Sequence, residues 1–240
     1  MNRDLDQMSI SDRVRAVKDR IRAAAVLSGR DPGKITLVAV SKTMPVERIK
    51  EAMNAGLSTF GENYIQEARE KVDSLAGFRL SWHFIGHLQT NKVKYAVPRF
   101  DLIHSVDREK LAREINRRAE KIGKKQEILI QVNLGEEATK SGVNIRDAEK
   151  LVRAAAAMPN LVVRGLMAIP PHFDDPEQVR PYFRTLARLR EEILSADIFH
   201  ESGEKFMADL SMGMTGDFEV AIAEGATMVR IGTAIFGHRK

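Results

Sequence analysis

Short apolar runs of strand length alternate with longer stretches of helical period along almost the whole chain, and few folds accept that pattern. The runs are Ile35–Lys42, Thr59–Gly61, Trp82–Gly86, Leu102–Ser105, Ile128–Asn133, Val162–Ala168, Asp209–Met212 and Val229–Ile231, about eight in 240 residues. Between them lie helical patterns over Val46–Ala55, Tyr64–Leu75, Thr90–Ala96, Arg108–Ile122, Ile145–Met158, Pro176–Ser195 and Asp217–Glu224. A further amphipathic stretch, Ser11–Ser28, precedes the first run, with Val14, Val17, Ile21 and Ala24–Ala25 at spacings of three and four. Several runs are apolar almost throughout, as strands are when both sheet faces are covered. Strands alternating with helices predict an α/β fold with a parallel sheet, and eight of them in this length predict a single (β/α)8 TIM barrel with an extra N-terminal helix, one domain over 1–240. A doubly wound open sheet is the other topology this pattern allows.

Composition removes several function classes. With no cysteine, the chain has no disulfide, thiol nucleophile or thiolate metal site. Its 38 Lys+Arg against 33 Asp+Glu leave a net +5. That surplus is small, aromatics are 6% and no basic stripe stands out, so a nucleic-acid partner is not expected. No stretch approaches a membrane span and no apolar signal core follows Met1, which points to a cytoplasmic protein.

In a barrel, reactive groups gather at the carboxyl ends of the strands. The first run ends in Lys42, which shares a face with Val38 and Val40. An ammonium there either reaches solvent or is destabilised and used as a nucleophile toward an aldehyde, forming a Schiff base. The last run enters a Gly232-Thr233 turn before a short helix, and the one before it ends in Ser211-Met212-Gly213-Met214-Thr215-Gly216-Asp217. Two adjacent small, hydroxyl-bearing turns at helix starts suit a phosphate, although Thr215 could equally cap its helix. Arg230 shares a strand face with Gly232, where it points beside the phosphate turn or pairs with a carboxylate such as Asp209. Asn63, His83 and His87 also lie at strand ends. The histidines, four apart but not on a helix and without a carboxylate to complete a ligand set, do not make a metal site. Gly135–Gly142 reads as a loop that closes over the site or simply connects elements, and Lys140 and the His238-Arg239-Lys240 tail are the places where a second anion site could lie.

An aldehyde for Lys42, a phosphate for two turns and a flat ring near Arg230 are met together by pyridoxal 5′-phosphate. Val40-Ser41-Lys42-Thr43, Phe60-Gly61-Glu62-Asn63-Tyr64, Trp82 through Lys92, Leu210-Ser211-Met212-Gly213-Met214 and Val229 through Gly237 resemble, in order and over nearly the whole chain, the pyridoxal phosphate homeostasis protein family. The resemblance implies a fold like the N-terminal barrel of alanine racemase, with the cofactor held as an internal aldimine on Lys42. It implies that Ser211, Thr215, Gly232 and Thr233 bind the phosphate, that Arg230 faces the pyridine nitrogen, and that Asn63, His83 and Met212 line the ring's surroundings. The chain departs from the family at Thr215, usually serine, where the hydroxyl is kept, and at Met44, where many relatives carry a second lysine.

The expected role is a carrier or buffer of the cofactor rather than an enzyme, with apo forms of cofactor-dependent enzymes as transient recipients. Racemisation needs a second acid–base group on the opposite cofactor face, which the racemase takes from a tyrosine of another domain. Here Tyr64, Tyr95 and Tyr182 stand in no comparable context and the chain ends soon after its last barrel element. For the same reason a monomer is expected. A low-activity amino-acid racemase is the competing reading, with a Schiff-base aldolase behind it.

Overall fold

A computed structural model describes residues 8–135, 141–196 and 206–237. Lys140, most of the Gly135–Gly142 loop and the His238-Arg239-Lys240 tail lie outside them. Among the described residues, β1 (Thr36–Val40), β2 (Thr59–Glu62), β3 (Ser81–Phe84), β4 (Leu102–Val106), β5 (Gln126–Asn133), β7 (Leu161–Met167), β8 (Asp209–Ser211) and β9 (Met228–Ile231) form one parallel sheet. Its order is β4-β3-β2-β1-β9-β8-β7-β5, and a β4–β5 pairing closes it. That pairing excludes the open sheet. A two-residue strand, β6 (Val143–Asn144), adds to β5 through Val132 and was not foreseen, because so short a run carries no periodicity.

The helices α2 (Val46–Asn54), α3 (Ile65–Ser74), α4 (Val93–Ala96), α5 (Glu109–Glu120), α6 (Ile145–Ala156), α7 (Arg180–Leu194), α8 (Phe218–Ala223) and α9 (Thr233–Phe236) lie between and after the strands. The N-terminal helix, α1 (Ile10–Leu27), starts where the Ser9 hydroxyl accepts from the Asp12 N–H at 3.1 Å. It buries Val14, Val17, Ile21, Ala24 and Ala25, the stripe expected from spacing, and also Ile10, chiefly against α8, α9 and α2. No helix among the described residues is long and apolar enough to cross a membrane.

Alternation along the strands sorts the barrel interior into layers. Val38, Leu102, Leu129, Met167 and Met228 form an apolar floor. Two residues beyond Leu102 and Met228 on their strands come His104 and Arg230, which join Ser211 and His83 in one hydrogen-bonded group. Ile85 and Gly232, two residues beyond His83 and Arg230, line the mouth together with Lys42, Asn63 and Ile169. Two glycines make the interior possible. A Cβ on Gly61 would stand 2.9 Å from Val38 Cγ1. At Gly165, with φ +154°, it would meet the Asp209 carbonyl oxygen at 1.8 Å. There the β5–β7 register shifts, and Arg164, left out of the ladder, pairs with Glu127 (2.7 Å) and Asp209 (2.6 Å).

Candidate functional site

A cleft of about 240 Å³ opens at the carboxyl ends of the strands. Of the residues expected from sequence, Lys42, Asn63, Thr215, Arg230, Gly232 and Thr233 line it. Ser211, Met212 and His83 do not: Ser211 and Met212 are wholly buried, and His83 lies in the layer beneath. A larger groove, about 800 Å³, lies between α1 and the starts of β1 and β2 and is lined by none of them.

Lys42 follows β1 in a tight turn. The Ser41 N–H still donates to Gly61 O at 3.0 Å, continuing the sheet, while the Met44 N–H closes back on Ser41 O at 3.0 Å. Thr43 takes φ +64°, a conformation that a β-branched residue adopts only under constraint. The constraint comes from three residues that sequence reading passed over. Lys71 on α3 donates to Ser41 O (2.7 Å), Glu62 Oε1 (2.9 Å) and Glu67 Oε1. Ser41 Oγ donates to Glu62 Oε1 at 2.6 Å, and the Thr43 N–H donates to Glu67 Oε1 at 2.5 Å. Glu62 is wholly buried; burial raises its carboxyl above the ordinary range, with Lys71 and the Ser41 hydroxyl opposing. The one part of this cluster visible in sequence was the Glu67–Lys71 spacing of four on a helix.

Arg230, 3% exposed, lies on the inward face of β9. It donates to Ser211 Oγ at 2.6 Å and to the Ala168 carbonyl at 2.9 Å. The Asp209 pairing considered above does not form, since Asp209 is held by Arg164 and by the Thr227 hydroxyl. Burial pushes the Arg230 guanidinium down to about 10, with Asp217 opposing through space, so it stays cationic at neutral pH.

Behind Arg230 runs a hydrogen-bonded line. Ser211 Oγ meets His104 Nδ1 at 2.9 Å, His104 Nε2 meets His83 Nδ1 at 3.0 Å, and His83 Nε2 meets Ser81 Oγ at 3.2 Å. An arginine only donates, so Ser211 accepts from it. Were Ser211 also to accept from His104, its own proton would be buried without an acceptor, at a cost of about 1–3 kcal/mol. The protons therefore run one way, from Arg230 through Ser211, His104 and His83 to Ser81, with both imidazoles carrying hydrogen on Nε2. Both are neutral: burial pushes His83 down to about 4 and His104 well below its ordinary value. His104 was missed although it stands mid-strand in Leu102-Ile103-His104, the pattern that drew attention to His83. His87 goes elsewhere, half-exposed and 3.9 Å from Asp107.

The two turns face the same cleft. Asp217, not Thr215, precedes α8, and its Oδ1 accepts from the Met214 N–H at 2.6 Å. Thr215 is thereby left at the cleft wall rather than spent as a cap. Burial raises the Asp217 carboxyl, with the Met214 amide and Arg230 opposing. At the other turn, a Cβ on Gly232 would stand 3.3 Å from Val40 O, tighter than usual, so glycine keeps that wall low. The first amides of α9 have no acceptor within their own helix. Asn63 Oδ1 is buried without a hydrogen-bond partner, a polar atom awaiting a donor. The cleft thus offers an amine on one side, a buried cation on the inner wall and hydroxyl-bearing turns on the other.

Comparison with known proteins identifies the family and the fold. Residues 13–240 match the family "Alanine racemase, N-terminal domain". The pyridoxal phosphate homeostasis protein of Aquifex aeolicus is 47% identical over 233 residues, covering 97% of this chain and all of that protein. PipY of Synechococcus elongatus, solved with pyridoxal phosphate bound, superposes with a TM-score of 0.79 at 33% identity, covering 95% of this chain and 100% of that one. Alanine racemase from Corynebacterium glutamicum shares the fold, with a TM-score of 0.67 at 18% identity over 93% of this chain and 61% of its own.

Proposed function

This chain belongs to the family of pyridoxal phosphate homeostasis proteins, on the alanine racemase N-terminal fold, and we propose that it binds pyridoxal 5′-phosphate in the cleft beside Lys42 in order to hold and hand on the cofactor. One observation carries the reading: Lys42, from near one end of the sequence, and Thr215, Arg230 and the Gly232-Thr233 turn, from near the other, converge on a single cleft. The likeness to PipY with its bound cofactor supports it. Bound pyridoxal phosphate supplies an aldehyde that condenses reversibly with an amine. Lys42 is the amine in reach, held in a half-buried turn. Thr215, Thr233 and the first amides of α9 receive the phosphate, with Ser211 and Met212 supporting their turns from behind. Arg230 faces the ring nitrogen and, being cationic, disfavours a proton there. Asn63 lies along the ring, and His83 acts through His104 from one layer below.

Holding, rather than turnover, fits the lining of the cleft. Among the described residues that line it, Lys42 is the only one bearing an amine, imidazole, carboxyl or phenol group. Tyr95 packs under Arg69 and Lys94, Tyr182 packs on Phe173, and Tyr64 lies outside the cleft. Carbanion chemistry on two faces needs two such groups. We read the protein as one cytoplasmic barrel domain that works as a monomer. Its exposed large apolar side chains, such as Leu27, Phe78 and Ile122, are scattered over separate elements.

Protein loaded with pyridoxal phosphate and reduced with borohydride should carry the label on Lys42, and Lys42→Ala should bind the cofactor weaker by roughly two orders of magnitude. An unlabelled Lys42 sinks the assignment. Incubation with each L-amino acid should yield no D-enantiomer. Transfer to an apo-enzyme faster than release into buffer establishes delivery, whereas equal rates leave buffering alone.

A further inference from the structure

The residues flanking Lys42 are gripped from both sides. Lys71 holds the carbonyl before it, Ser41 O at 2.7 Å, and Glu67 holds the amide after it, the Thr43 N–H at 2.5 Å. Lys71 also joins the two carboxylates, binding Glu62 at 2.9 Å and Glu67 directly. Glu62 in turn accepts from the Ser41 hydroxyl at 2.6 Å. The cluster is inside the protein, with the Lys71 side chain 6% exposed and that of Glu62 0%. None of the three lines the cleft.

Two charged partners and a wholly buried carboxylate are a costly way to pin a surface turn, because taking charges out of water is unfavourable unless geometry and hydrogen bonding are good. The geometry explains the outlay. Released, Thr43 would leave φ +64° for a region natural to a β-branched residue, and the direction in which the preceding lysine leaves the backbone would change with it. We propose that Lys71, Glu62 and Glu67 are positioning residues for Lys42: they lock the Ser41–Thr43 turn in a strained form that aims the Lys42 amine into the cleft. The proposal rests on the reading that Lys42 receives the cofactor. Glu67, partly exposed, is the member that can be changed with least danger to the fold, whereas Lys71→Met leaves the buried Glu62 without its cationic partner.

The test compares Glu67→Ala, which removes the acceptor, with Glu67→Gln, which keeps an acceptor oxygen. In cofactor-free protein, hydrogen exchange at the Thr43 amide should speed up roughly 10–100-fold in Glu67→Ala and return to within a few-fold of wild type in Glu67→Gln. With pyridoxal phosphate added and borohydride used as a trap, the labelling rate of Lys42 should fall roughly tenfold in Glu67→Ala and recover in Glu67→Gln. Exchange and trapping both within twofold of wild type in Glu67→Ala would overturn the proposal. So would lost Thr43 protection with an unchanged trapping rate, since the turn would then be held for some other end. Failure of the cofactor reading shows separately, as wild-type Lys42 left unlabelled, while exchange at Thr43 still decides whether the grip exists.

Discussion

A cation and two imidazoles inside a barrel set a pH limit on the fold. His83 is pushed from an ordinary 6.5 down to about 4 by burial, and burial likewise pushes His104 well below its ordinary value. In the unfolded chain both take up protons near 6.5, while in the folded one they do not. The unfolded state therefore binds more protons as pH falls, and the stability present above 6.5 is lost progressively between about 6.5 and 4. His83 alone accounts for about 3 kcal/mol over that interval. Urea midpoints measured from pH 8 to pH 4 should fall steeply below 6.5, and less steeply in His104→Asn; parallel curves would refute this account. At this scale the sequence was legible where a charge interrupts an apolar alternation. Lys42 and Arg230 stand out because a cation at an inward position needs a reason. His104 does not, since a neutral histidine passes among Leu102, Ile103 and Val106. The Glu62–Lys71 pair was illegible for another reason: its members belong to a strand and a helix whose juxtaposition exists only in the fold.

The strands themselves were readable from apolar runs, and their ends from the breakers that follow. Register was not, because it depends on where the ladder slips. The slip at Arg164–Gly165 shows how. Skipping one residue against β5 lets Arg164 reach both Glu127 and Asp209, and it brings Gly165 against the Asp209 carbonyl, where there is no room for a Cβ. Since φ +154° is itself forbidding to other residues, Gly165→Ala combines clash and strain. It should cost more than about 3 kcal/mol in thermal or denaturant unfolding, against about 1 kcal/mol for an average substitution. A loss under 1 kcal/mol would mean that the slip can move. The Thr215 turn was half legible: its hydroxyl was visible, but the closure of the turn by Asp217 on the Met214 amide, which leaves Thr215 at the cleft, exists only in the fold.

Across the whole molecule, α1 links the chain's beginning to the two helices that follow the hydroxyl-bearing turns. Arg20 stacks 4.5 Å above the Phe218 ring and pairs with Glu219 at 2.6 Å. Beyond the helix, Arg30 donates to the Ile222 and Ala226 carbonyls at 2.6 and 2.7 Å, at the far end of α8. The helix, expected from spacing as an addition to the barrel, is therefore a brace for one wall of the cleft. Arg30→Met should cost roughly 1–2 kcal/mol, the low end for a charged donor because the group is only partly buried. For a chain of this size that lowers the melting temperature by about 2–8 °C. Calorimetry that finds no shift would assign α8 its stability from elsewhere.

Arg230 sits on the inner wall of the cleft with two neutral oxygens as hydrogen-bond partners and no carboxylate hydrogen-bonded to it among the described residues. On the proposed reading, a cofactor seated beside it binds the folded chain and not the unfolded one. Loading and durability are then one quantity: chains carrying cargo outlast heat, and any cell that clears its least durable proteins first will keep this one in proportion to how much it holds.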